Sequence, residues 1–139
     1  MENTCNSLLV ITSILFIIPA ILTLYNKQWL ASSASIFILI TSILHHSTKK
    51  PIFTVLDKIA CFYLGLVSLY YAFQYKILYI VLPVITYICI IYYYGHSSKS
   101  LVWCEDYTES TLWHFTIHIF SAVSVTYGSY VISNIKKGI

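Results

Sequence analysis

Charge is what this sequence has least of: 9% of its 139 residues are acidic or basic, against about 25% in soluble domains. With 58% hydrophobic residues, that shortage excludes an ordinary soluble domain and leaves no room for one beside the apolar segments. Arginine is absent. The eight basic residues are all lysines, standing singly or in pairs at Lys27, Lys49–Lys50, Lys58, Lys76, Lys99 and Lys136–Lys137. No stretch forms a basic stripe, so nucleic acid is excluded as a partner. No cation lies among the first seven residues, which carry only Glu2. The apolar run that follows also exceeds the roughly 7–15 residues of a signal-peptide core, so it is expected to stay in the membrane as a span. The chain has no internal repeat symmetry of the kind transporters show, which gives a channel or transporter little support.

What the sequence has instead is long apolar runs. A span needs about 20 mostly apolar residues, because the hydrocarbon core is roughly 30 Å thick and a helix rises about 1.5 Å per residue. Five segments qualify: Leu8–Tyr25, Trp29–His46, Ile52–Phe73, Ile77–Tyr94 and Thr111–Ile132. The expected fold is therefore all-α, a polytopic transmembrane bundle forming one domain over residues 1–139. Ala31-Ser32-Ser33-Ala34-Ser35 would let another helix approach the second span closely. Pro51 opens the third, and Pro83 is expected to kink the fourth. Gly95–Ser110 is the one extended polar linker, and tyrosines gather near span ends as interfacial aromatics do.

An odd number of spans puts the termini on opposite sides, A for the N-terminal side and B for the other. Lysines number three on A (49, 50, 99) and four on B (27, 76, 136, 137), which favours a cytoplasmic B and a lumenal or external N-terminus. Lysine as the sole basic residue, with abundant Ile and Tyr, suggests an AT-rich genome. The membrane would then be an endomembrane or a viral or host membrane. Cys61 and Cys89 fall inside spans as small packing residues. Cys5 and Cys104 share side A, where they would either pair in an oxidising lumen or stay as loop thiols. The four cysteines form no C-x-x-C spacing.

Ionisable groups inside spans are costly and call for an account. They are His45, His46, Asp57, Lys58, His114 and His118. The topology brings the end of the second span and the starts of the third and fifth to side A, and with them the histidines and Asp57. His114 and His118 are four apart, with Cβ atoms about 5–6 Å from each other. At that spacing one helix supplies two ligands to one zinc ion. Adding His46 gives three imidazoles and an open fourth position, the catalytic arrangement of zinc. Asp57 would orient or deprotonate water there, and Ser42, one turn before His46, would donate to a developing oxyanion. Each residue also has a plain reading. The His pair would snorkel to headgroups, His45-His46 would belong to the interface, and Asp57-Lys58 would be a charge pair at a helix start. Ser42 alone says little.

At these residues the sequence resembles the CREST superfamily of membrane proteins. That superfamily includes alkaline ceramidases, progestin/adiponectin-receptor-type proteins, Per1-like proteins and myomaker-like proteins. Ser42-Ile43-Leu44-His45-His46 is similar to its Ser-x-x-x-His, Leu56-Asp57 to its early third-helix Asp, and His114–Ala122 to its last-helix His-x-x-x-His. The likeness covers about half of the chain. It implies a zinc site of His46, His114 and His118 assisted by Asp57 and Ser42, and hydrolysis of a lipid amide or ester bond of ceramidase type. Two registers stay open: His45 in place of His46, and Ser110/His114 in place of His114/His118, since Trp113-His114 is similar to the family's aromatic-His pair. The family core has seven spans, so two are missing here between the Asp helix and the last. Losing two preserves the sidedness of the metal site, but a lipid-enclosing pocket would then call for a homo-oligomer. The alternative expectation is a non-catalytic structural, membrane-remodelling or receptor-like protein, in which zinc only ties helices together.

Overall fold

The first apolar run folds as two stacked helices, α1 (Glu2–Ile14) and α2 (Ile17–Tyr25), in the computed structural model of the chain. Pro19 is the physical cause, since it has no N–H to offer the Leu15 carbonyl. The backbone there tightens to i→i−3 bonds, with the N–H groups of Leu15, Phe16 and Ile18 donating to Thr12, Ser13 and Leu15, each at 3.1 Å. The structure describes residues 2–48 and 50–138, with side chains from residue 7 onward. The other elements are α3 (Trp29–Thr48), α4 (Pro51–Gln74), α5 (Leu78–Cys89), a π-helical turn (Ile90–Tyr94), α6 (Gly95–Ser98), a 3-10 turn (Leu101–Trp103) and α7 (Tyr107–Lys137). In the fourth span α5 continues through Pro83, and an irregular stretch not expected from the sequence follows at the π-helical turn.

The fold is all-α, with five helical stretches long and apolar enough to cross a membrane, at 7–25, 29–48, 51–74, 78–98 and 107–137. The last starts earlier than Thr111 because Asp106 caps it, its Oδ1 accepting from the N–H groups of Thr108 (2.8 Å) and Glu109 (3.0 Å). The linker expected over Gly95–Ser110 is thus largely folded. The outer surface is apolar: Ile11, Ile21, Phe62 and Phe73 are each more than 60% exposed. Such a surface suits lipid rather than water.

Short turns fix the up-and-down order. Lys27 (φ 55°) and Lys76 (φ 57°) take the left-handed conformation that ends a helix. The N–H of Gln28 then reaches Thr23 (2.8 Å) and that of Ile77 reaches Ala72 (2.9 Å). Each span packs on the next, and α7 packs on both α5 and the α1–α2 pair, so the five form a closed ring in chain order. Ala31, Ser32, Ala34 and Ser35 are buried along α3, where small side chains permit close approach. On side B the Asn26 and Gln28 side-chain amides donate to the Ser129 carbonyl (3.3 and 3.2 Å), joining the first hairpin to α7. Between the helices of the ring lies a partly open cavity of about 480 Å³.

Candidate metal centre and its cavity

Three helix ends meet on side A. α3 delivers His46 in its last turn, α4 delivers Asp57 two turns from Pro51, and α7 delivers His114 and His118 near its start. Ring centroids are 5.2 Å apart for His46–His114, 5.5 Å for His46–His118 and 5.0 Å for His114–His118. One nitrogen from each ring lies within 4.8 Å of the others. His46 and His118 are both 6% exposed, and His114 is half-buried. Three imidazoles this close and this buried cannot all be protonated without strong mutual repulsion, so the arrangement suits neutral rings.

Both registers left open by the sequence have a geometric outcome. His45 stays outside the group, its Nδ1 3.1 Å from the Thr54 hydroxyl and its ring 4.7 Å from that of His46, which joins the cluster. Ser110 lies outside, its hydroxyl donating to the Val102 carbonyl at 2.7 Å, and His118 takes the place beside His114.

Asp57 is 7% exposed, and its Oδ1 lies 3.4 Å from the Thr41 hydroxyl, which is also shared with the Phe37 carbonyl at 3.0 Å. Ser42 is fully buried and receives the Ser13 hydroxyl at 2.9 Å; it does not line the cavity, so it sits behind Asp57 rather than where a substrate would lie. Asp57 is buried and Lys58 exposed, and both line the cavity. Cys61 and Cys89 are exposed on the helices rather than packed in the core, and Cys61 lines the cavity. The Cys104 thiol lies 3.5 Å from Glu109; the Cys5 side chain, its expected disulfide partner, is outside the described residues.

The cavity has a polar end and an apolar end. His45, Asp57, His114 and His118 line one part, while Leu64, Val81 and Ile85 line another. Tyr92, on the π-helical turn, also faces it; such turns re-aim a side chain that a regular helix would place elsewhere.

The donor set passes a direct test of fit to a metal. Among the described residues, His46 Nε2 is a buried nitrogen with no hydrogen-bond partner, a state that costs about 1–3 kcal/mol unless something binds it. Tetrahedral coordination spaces imidazole nitrogens by roughly 3.3 Å, and these three already lie within 4.8 Å of one another.

Two residues that matter here carried no motif: Thr12 and Ser13 of α1. The Thr12 hydroxyl lies 3.1 Å from His118 Nδ1, and Ser13 meets Ser42. Their signal in the sequence was two adjacent hydroxyls in mid-span, within an otherwise apolar run.

Fold and site together define a class: a five-span helical bundle with a candidate metal centre of three histidines at one end of a partly open cavity. Beyond that class, no protein-family model, curated protein or solved structure matches the chain.

Proposed function

We propose that the chain is a zinc-dependent hydrolase of the membrane, cleaving an amide or ester bond of a lipid. One observation carries the reading: His114 and His118 of the three-histidine cluster open onto a cavity whose wall also holds Asp57 and continues as apolar surface. The motif likeness to the CREST superfamily supports the same assignment. His46, His114 and His118 would hold zinc as neutral imidazoles, leaving one coordination position to the reaction. Zinc, when bound, supplies Lewis acidity that polarises an acyl carbonyl and makes water a usable nucleophile near neutral pH.

Asp57 takes the proton from the attacking water and returns it to the departing amine or alcohol. Thr41 and Ser42 hold that carboxyl in place. Leu64, Val81 and Ile85 receive an acyl chain and keep water from the reacting end. The lysine distribution puts side A, with the site, on the lumenal or outer side of an endomembrane or a viral or host membrane.

A second reading has one observation in its favour. His46 does not line the cavity, so the cluster would serve as a staple between α3 and α7 in a structural or receptor-like protein. Zinc analysis of protein purified in lipid nanodiscs comes first. About one zinc per chain is expected; none in the wild type, or undiminished zinc in a His114→Ala/His118→Ala variant, removes both readings. Lipid turnover then separates them, with ceramide and a fatty-acyl ester as probes. Loss of hydrolysis in a zinc-loaded Asp57→Asn variant supports the enzyme. A zinc-loaded wild type that cleaves neither probe supports the staple.

A further inference from the structure

α1 carries no metal ligand, yet it reaches the cluster through one buried side chain. Thr12 is 2% exposed. Its Oγ1 lies 3.1 Å from the Leu9 carbonyl, one turn back, and 3.1 Å from His118 Nδ1 on α7. We propose that Thr12 is a positioning residue that fixes the tautomer of His118 and so turns a bare Nε2 towards the other two histidines. The purpose of this arrangement rests on the zinc reading above; its geometry rests on the hydrogen bonds alone.

The argument is a count of protons. A threonine hydroxyl has one proton to give and can also accept, whereas a carbonyl can only accept. The Leu9 carbonyl, with two lone pairs, lies within reach of the Ser13 hydroxyl (2.7 Å) as well as that of Thr12. With the Thr12 proton on that carbonyl, as in-helix threonines commonly place it, Thr12 Oγ1 accepts from His118 Nδ1–H. A neutral imidazole has one proton. With that proton on Nδ1, Nε2 holds a free lone pair, which a metal ligand needs. One further contact and the helix break make the arrangement specific. The Phe16 ring meets His118 edge-on, with centroids 5.9 Å apart at 67°, so an apolar edge bounds the imidazole on that side. The break at residues 15–16 lies immediately beyond Thr12 and Ser13, and side-chain bonds back to i−3 and i−4 carbonyls bend helices. Pro19 thus shapes the segment that presents the hydroxyl.

The test uses the full chain in nanodiscs with ¹⁵N-labelled histidine and zinc removed. Long-range ¹H–¹⁵N correlation reports which nitrogen of each ring carries the proton. His118 is expected in the Nδ1–H form in the wild type and in Thr12→Ser, which keeps the hydroxyl. In Thr12→Val, which keeps the shape but loses the hydroxyl, it should shift towards Nε2–H. Zinc affinity, measured by chelator competition, should fall about 10–100-fold in Thr12→Val and recover in Thr12→Ser. A wild-type His118 in the Nε2–H form, or a tautomer unchanged by Thr12→Val, overturns the proposal. A wild type that binds no zinc sinks the metal reading alone, because the metal-free spectrum still decides the tautomer.

Discussion

His46 at the end of α3 and His118 on α7 hold their ring centroids 5.5 Å apart, while His45, next to His46 in the chain, points at Thr54 instead. Adjacent residues on a helix diverge by about 100°: His46 enters the three-histidine group, while His45 lines the cavity beside it, its ring 4.7 Å from that of His46. Replacing them separately should have opposite results. His46→Ala is expected to lose bound zinc, and His45→Ala to keep close to one zinc per chain, both read by elemental analysis. Equal losses would mean that the cluster draws on the wrong neighbour.

Asp57 differs from the histidines in what its loss should do. It lines the cavity and is hydrogen-bonded by Thr41, but it is outside the histidine cluster. Asp57→Asn should therefore leave zinc content unchanged and lower kcat for lipid hydrolysis by about 10²–10⁴. Thr41→Val removes one long (3.4 Å) hydrogen bond to a carboxylate, worth about 1.5 kcal/mol at the low end for charged groups, so a drop of about tenfold is expected. A larger effect from Thr41→Val than from Asp57→Asn would contradict a supporting role for Thr41.

Gly95 and Gly65 predict opposite outcomes for the same substitution. A Cβ at Gly95 would lie 2.8 Å from the Ser100 carbonyl oxygen and 3.3 Å from Trp103, and a backbone oxygen does not yield as a flexible side-chain end does. Gly95→Ala should push away the turn that brings Trp103 to the cavity, at a cost of about 1–3 kcal/mol. At Gly65 a Cβ meets nothing within 4 Å, and Ala is favoured over Gly inside a helix by about 0.5–1 kcal/mol. Thermal unfolding in nanodiscs should rank Gly65→Ala at or above the wild type and Gly95→Ala below it. The reverse order would refute the close packing of the 95–103 turn.

The five spans were legible because a bilayer imposes length and apolarity on each one separately, so every span announces itself without its neighbours. His46, Asp57, His114 and His118 could be placed on side A because short turns force the chain to alternate direction. Three features needed contacts that no local pattern encodes. The break in the first span depends on Pro19, which lies inside a run whose composition reads as continuous. The cavity between the helices depends on α7 packing on both α5 and the first span, a closure that a count of five spans did not suggest. Thr12 and Ser13 look like ordinary small polar residues, since a helix can satisfy such hydroxyls on its own carbonyls; only the approach of α7 and α3 gives them His118 and Ser42 as partners.

Gly65 also offers a way to separate the cavity from the metal centre. It lines the cavity on α4, as does Cys61 one turn earlier and Leu64 beside it. Open space lies where its side chain would be. A leucine there would occupy the volume that an acyl chain needs while leaving the histidine cluster untouched. Displacing three or four methylenes, each worth about 0.8 kcal/mol on burial, should lower kcat/KM for a long-chain acyl ester by roughly 100-fold. A short-chain ester, which does not reach that depth, should be cleaved nearly as well as by the wild type, and zinc content should not change. Measuring both esters on the zinc-loaded Gly65→Leu variant decides the matter: equal losses for the two chain lengths would show that the acyl chain lies elsewhere.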